Sequence, residues 1–204
     1  RVAQMPSIYV WLRQSDGSRL RAGELRYAER RGPRGVELFS EFRYDGEYLR
    51  APGVIPLNPA FLPLQEQPLS SEPAPSGLHG VFEDSLPDAW GRALLSRQLQ
   101  LPMSPFIWPD LLLHLGTNCL GALAYTPNRR WSKPQDSAPI MQLGELLDAA
   151  AAFERNPDSV DPRYAVLLQA GSSPGGARPK AVVSGEGGAW LAKFPSVRDG
   201  CDMI

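Results

Sequence analysis

Seven of the chain's 21 prolines crowd into one stretch, as Pro52, Pro56, Pro59, Pro63, Pro68, Pro73 and Pro75. Proline lacks a backbone N–H and its ring collides with the preceding turn, so no long helix crosses residues 50–80. The stretch is expected to be an irregular connector, with one short strand near Val54-Ile55. It separates a β-patterned beginning from a helix-patterned middle.

Residues 8–49 read as a small β region. The run Ile8-Tyr9-Val10-Trp11-Leu12 is rich in β-branched and aromatic side chains, and Asp16-Gly17 signals a turn. Residues 24–28 alternate polar and apolar. Residues 36–44 alternate too, with an irregularity near Phe39 that reads as a bulge, and Asp45-Gly46 signals a closing turn. An antiparallel meander is expected.

Beyond the connector, Glu83-Asp84-Ser85-Leu86-Pro87-Asp88 reads as a helix start. Ser85 suits the cap, Pro87 the first turn, and Asp88 places negative charge at the positive end of the helix dipole. Leu86, Trp90, Ala93, Leu94 and Leu101 recur at helical spacing until Pro102 and Pro105. Pro109 suits the first turn of a second helix through Leu111, Leu112, Leu113 and Leu115. A turn over 116–121 leads into a strand over 121–125, and 129–139 is a polar linker. A third helix is expected over about 142–154, with Leu143, Leu146, Leu147, Ala150 and Phe153 on one side. Residues 163–169 fit helix or strand, with helix favoured. Residues 180–183 and 189–194 are strand-like and joined by the hairpin turn Gly185-Glu186-Gly187-Gly188. The expected fold class is α+β, an antiparallel β region with helices followed by a β-hairpin.

Composition excludes several functions. With 21 basic and 22 acidic side chains the net charge is -1, which argues against bulk attraction to DNA or a membrane surface. Cys119 and Cys201 lie far apart and read as free thiols of a cytosolic protein, Cys119 as a buried small apolar residue. His79 and His114 are too sparse for metal-ligand spacing. No apolar run approaches a membrane span, and the basic start lacks the apolar stretch of a secretory signal. A cytoplasmic location is therefore expected. Opening on Arg1 and closing on Asp202-Met203-Ile204, both ends read as cut, so a fragment of a longer protein is expected.

The stretch that points to chemistry is Gly171-Ser172-Ser173-Pro174-Gly175-Gly176-Ala177-Arg178-Pro179-Lys180. The chain has three lysines, and two of them, Lys180 and Lys193, fall in this last part. Phosphate binding requires close approach of the main chain, concave N–H groups and a cation. Glycine permits the approach because it has no Cβ. On the second strand Ala189, Leu191 and Lys193 share one face, and Trp190, Ala192 and Phe194 the other. An ammonium flanked by apolar residues calls for an anionic partner, a carboxylate or a ligand phosphate.

Two standard motifs fail. Gly171 and Gly176 have the spacing of G-x-x-x-x-G-K-[ST], but Ala177-Arg178 follow in place of lysine and a hydroxyl. The dinucleotide fingerprint needs a helix after the loop, where a strand is expected. The kinase pattern G-x-G-x-x-G is absent, yet a glycine loop between β segments followed by a strand lysine is a kinase layout. An ordinary glycine-rich hairpin with surface lysines fits the spacing as well. Glu83, Asp84 and Asp88 are accounted for by a helix N-terminus, the five tryptophans by packing, and Ser85 near His79 lacks a third member for nucleophilic chemistry.

Four segments, in order, resemble the HipA family of bacterial toxin-type serine/threonine kinases. Residues 82–92, Phe-Glu-Asp-Ser-Leu-Pro-Asp-Ala-Trp-Gly-Arg, resemble the family's F-x-x-x-L-P-[DE]-x-W-G-R segment. Leu115-Gly116 through Gly121-Ala122-Leu123 resembles its following G…G-A-L segment. Residues 173–180 resemble its glycine-containing loop ending in lysine, and residues 190–196 the strand carrying its ATP lysine.

The resemblance implies an HipA-like N-terminal subdomain over 1–128, a linker over 129–140, and over 141–204 the start of a kinase-like N-lobe, whose first hairpin would be the one above. Lys193 would pair with the phosphates of ATP, and Gly175, Gly176 and Ala177, with Pro174 beside them, would form the loop over the nucleotide. Lys180 would be a second positive contact. Ser173 matches the serine autophosphorylated in the family, where the added charge shuts off ATP binding. The catalytic aspartate, the Mg²⁺-holding residues and the acidic partner of the strand lysine would lie beyond this chain, so the fragment itself is expected to be inactive.

Implied with them are ATP and Mg²⁺, a protein substrate (in the family an aminoacyl-tRNA synthetase) and a HipB-like helix-turn-helix antitoxin. Operator DNA would be reached only through that antitoxin, and no membrane is involved. Two further possibilities stand beside this one. One is a non-catalytic module in which residues 1–155 dock the antitoxin or another subunit. The other is a small-molecule kinase that shares the loop.

Overall fold

A computed structural model describes residues 5–32, 35–71, 76–101, 104–119, 121–133, 138–139, 143–156 and 179–197. The fold class is α+β. The chain divides into two compact units, residues 1–85 with 104–133, and residues 86–103 with 134–204.

The first unit is built on three long antiparallel strands, β1 (Ser7–Arg13), β2 (Arg19–Gly32) and β3 (Gly35–Tyr44). Two short strands, β4 (Leu69–Ser70) and β5 (Leu123–Thr126), complete a five-stranded sheet in the order β4-β3-β2-β1-β5. The expected meander is therefore present. The expected bulge is not at Phe39, because β2 and β3 pair without a register shift over 23–32 and 35–44. What looks irregular there is an exchange of roles. Ser40 takes a fully buried inward position between Leu38 and Phe42, while Phe39 faces outward under the Arg30 guanidinium, 4.1 Å away. The bulge lies on β2, where Val10 pairs with Gly23 and Trp11 with Arg21, leaving Ala22 over. Gly23 is required there, since a Cβ would come within 2.1 Å of the Arg43 carbonyl oxygen.

Two other local expectations are corrected. Asp45-Gly46 does not close a turn but starts a short helix, α1 (Gly46–Arg50), with the Asp45 carboxylate accepting from the Glu47 N–H. Val54-Ile55 is not a strand; the connector's strand is β4, which pairs with Glu41 and Phe42 of β3. The proline-rich connector is held by tyrosine hydroxyls instead. Tyr44 donates to the Leu62 carbonyl at 2.6 Å and accepts from the Leu57 N–H at 2.9 Å. Tyr48 donates to the Ile55 carbonyl at 2.8 Å. A segment without regular pairing must satisfy its backbone polar groups by such side chains. Around them, Phe42, Phe82 of α2 (Gly80–Glu83) and Tyr125 form a buried aromatic series.

In the second unit α3 runs over Ala89–Gln98, shorter than expected, and its cap is Asp88 rather than Ser85. The Ser85 hydroxyl instead accepts from the Tyr125 hydroxyl at 2.6 Å, within the first unit. In that first unit also, α4 (Trp108–Leu115) has Pro109 in its first turn as expected. α5 (Leu143–Arg155) buries Leu146, Ala149, Ala150 and Phe153, whereas Leu143 and Leu147 are exposed. The short strand β6 (Ala138–Pro139), inside the segment read as linker, pairs in parallel with β7 (Lys180–Gly185). β7 and β8 (Gly188–Lys193) form the expected antiparallel hairpin, with positive φ at Gly187 and Gly188 in the turn region. Ala181, Val183 and Phe194 pack with Leu94 of α3 and with the buried face of α5. The segment 163–169 lies outside the described residues.

Two outcomes follow from this packing. Gly23→Ala should lower stability by about 1–3 kcal/mol or more, because the new methyl meets backbone that cannot yield; urea unfolding of the variant measures it. Burial pushes the Cys119 thiol and the Tyr44 phenol up to about 12. In the unfolded chain these groups ionise near about 8.5 and about 10. Stability from their neutral forms is thus complete at neutral pH and falls as pH rises from about 9 towards 12. Melting curves across that range should show it, with a shallower fall in Cys119→Ala.

Candidate functional site

The F-x-x-x-L-P-[DE]-x-W-G-R resemblance now has a geometry. Asp88 stands in extended conformation just before α3, and its Oδ1 accepts from the Gly91 N–H at 2.8 Å. Gly91 is held to glycine by Pro87, whose Cβ would lie 2.7 Å from any Cβ at position 91. Trp90 meets Phe153 of α5 edge to face at 5.8 Å. Pro87, Asp88 and Gly91 of the motif thus serve the turn that opens α3, and Trp90 the packing beside it.

The second Asp88 oxygen has another partner. Oδ2 lies 2.8 Å from Lys180 Nζ, and both side chains are almost fully buried, at 4% and 6% exposure. The anionic partner that a strand ammonium calls for is, for Lys180, a carboxylate of its own unit. Isolated buried charges are strongly unfavourable, and here each of these ions offsets the other. Sequence alone assigned Asp88 only to the helix dipole. The available signal was one acid in a helix-opening motif and one lysine entering an apolar strand, with nothing to join them.

Lys193 differs. It is the cross-strand partner of Lys180 and is exposed. The chain just after it is fixed by Glu154 at the end of α5, which accepts from the Ser196 hydroxyl at 3.1 Å and the Val197 N–H at 2.8 Å. The structure therefore brings Lys180 and Lys193 together at the open end of one hairpin. Ser173, Pro174, Gly175, Gly176 and Ala177 lie outside the described residues.

The residues set aside by sequence have separate partners. His79 Nε2 is 3.0 Å from the Leu69 carbonyl, away from the Ser85–Tyr125 bond, and Glu83 accepts from Ser76. Trp11 packs edge to face on Trp131. Cys119 is buried beside the Gly116 carbonyl, and Cys201 lies outside the described residues. Among the described residues no group of His, Cys, Asp and Glu is placed to hold a metal ion, and no helix is long and apolar enough to cross a membrane.

Asp88→Ala removes the helix cap and takes the Asp88 carboxylate away from the buried Lys180 ammonium. It should cost about 3–5 kcal/mol of unfolding free energy in denaturant titration, the range for breaking a buried pair from one side.

A family model described as the HipA N-terminal domain matches residues 16–126, more than half of the chain. No curated protein and no solved structure matches it. The match takes in most of the five-stranded sheet and all of the Pro87–Asp88–Gly91 turn, and with it the chain belongs to the HipA family.

Proposed function

We propose that this chain supplies the nucleotide-phosphate part of a HipA-like serine/threonine kinase of a toxin–antitoxin pair. The observation that carries the proposal is the lysine pair of the β7–β8 hairpin, with Lys193 exposed directly opposite Lys180. Phosphoryl transfer relies on positioning and on cations set against the phosphate charge, and an exposed ammonium on an ordered strand has the required character. Lys193 would contact the phosphates, Lys180 would stand beside it, and Gly175, Gly176 and Ala177 would cover the nucleotide, with Ser173 as the autophosphorylation site. Mg²⁺ would arrive on the ATP phosphates. A further lobe would supply the catalytic aspartate, so residues 1–204 alone should transfer no phosphate. The acceptor would be a protein hydroxyl, by family resemblance on an aminoacyl-tRNA synthetase.

The test is MgATP binding and radiolabel transfer by the full-length protein that carries this chain. Lys193→Ala should reduce nucleotide affinity and transfer by about 100-fold, in line with loss of a principal charge contact. Ser173→Ala should remove the autophosphorylation signal while sparing ATP binding. Wild-type activity in Lys193→Ala would sink the assignment.

A second function has an observation of its own. The family match covers 16–126 and stops short of both lysines. A non-catalytic module over residues 1–155 that docks a helix-turn-helix antitoxin would need neither of them. Calorimetry separates the two: a docking module binds the antitoxin and shows no heat with MgATP.

A further inference from the structure

Lys180 and Lys193 face each other across the hairpin. Directly opposed residues of an antiparallel pair project from the same face, where like charges repel. The two ammoniums are nevertheless treated differently, since Lys180 is buried and Lys193 exposed. Asp88 supplies the difference. Its Oδ2 neutralises Lys180 while its Oδ1 caps α3. The surrounding backbone is fixed at the same level. The Pro179 carbonyl, just before Lys180, accepts from the Phe194 N–H, just after Lys193, at 2.9 Å.

We propose that Asp88 is a positioning residue for the phosphate-binding lysines. Its carboxylate locks Lys180 and the start of β7 to the start of α3, removes the repulsion between the opposed cations, and so displays Lys193 from a hairpin of fixed register. This rests on the nucleotide function proposed above and deepens it: phosphate affinity depends on a helix-cap carboxylate 92 positions before the strand it controls. The competing electrostatic expectation has the opposite sign. A carboxylate that merely sat near a phosphate site would weaken anion binding, and its removal would tighten it.

The experiment pairs MgATP titration with backbone hydrogen exchange over β7 and β8 in the full-length protein. Asp88→Asn keeps a side chain that caps helices well and removes only the charge. It should weaken MgATP binding by about tenfold, a usual size for coupled contacts, and speed exchange in residues 180–185. Lys180→Arg, which keeps the charge, should weaken binding less than Lys180→Met, which removes it. Asp88→Asn with Lys180→Met removes both charges; because uncharged replacement of a buried pair is tolerated, it should restore thermal stability yet leave affinity low. That double variant also serves if Asp88→Asn alone does not fold.

Unchanged or tighter MgATP binding in Asp88→Asn would overturn the assignment. So would recovery of affinity along with stability in the double variant. Absence of MgATP binding by the wild-type protein would instead count against the nucleotide function. The exchange measurement would still decide the anchoring, since undisturbed protection of β7 in Asp88→Asn refutes it.

Discussion

A single buried carboxylate organises the second unit. Asp88 uses one oxygen to begin a helix and the other to hold a lysine at the first position of a strand. Neither use is optional in a dry environment. A buried ammonium without a counter-ion and a helix start without an acceptor are both costly, and one side chain meets both needs. Buried ion pairs contribute little net stability compared with apolar replacements. What the pair marks is arrangement: the start of α3 meets the start of β7 where Asp88 and Lys180 coincide. Gly91, held to hydrogen by the Pro87 ring, and Trp90, set against Phe153, are consistent with that same placement.

The first unit solves a different problem. Seven prolines deprive the connector of donors and of regular pairing, so its backbone depends on side chains from the neighbouring sheet and helix. Tyr44 and Tyr48 bury their rings beneath it and reach its carbonyls with their hydroxyls. Burial that raises the Tyr44 pKa is the same burial that makes its hydrogen bonds count. Arg13 plays a comparable part at the other edge, directing its guanidinium at the carbonyls of Thr117, Cys119, Gly121 and Leu123.

Much of this was legible in the residues. A β-branched and aromatic run marked β1, period-two patterning marked β2 and β3, Pro109 marked the first turn of α4, and a glycine-rich tetrapeptide marked the β7–β8 turn. The misreadings share one cause. Phe39 suggested a bulge because hydrophobicity was equated with the inward face, whereas Arg30 covers it outside. Leu143 and Leu147 suggested a wide apolar side of α5, but the core takes Ala149 and leaves those leucines exposed. Ser85 suggested a cap on composition alone, and the hydroxyl was taken by Tyr125. Each outcome depends on which neighbour arrives from elsewhere in the chain. For the candidate site, both lysines and their strands were visible, but Asp88 was visible only as a charge on the helix dipole.

By itself the sequence determined the kinds of element and their order, because helix periodicity, strand alternation and turn chemistry act between residues a few positions apart. It also determined that a lysine among apolar neighbours needs an anion. Only the tertiary structure decided which anion and which lysine. Asp88 and Lys180 are separated by 92 positions, and nothing local distinguishes Lys180 from Lys193. Their different fates, one cation buried and neutralised and the other displayed, follow from the packing that brings the start of α3 to the start of β7. Desolvation makes that meeting decisive, since the pair is stable only when complete.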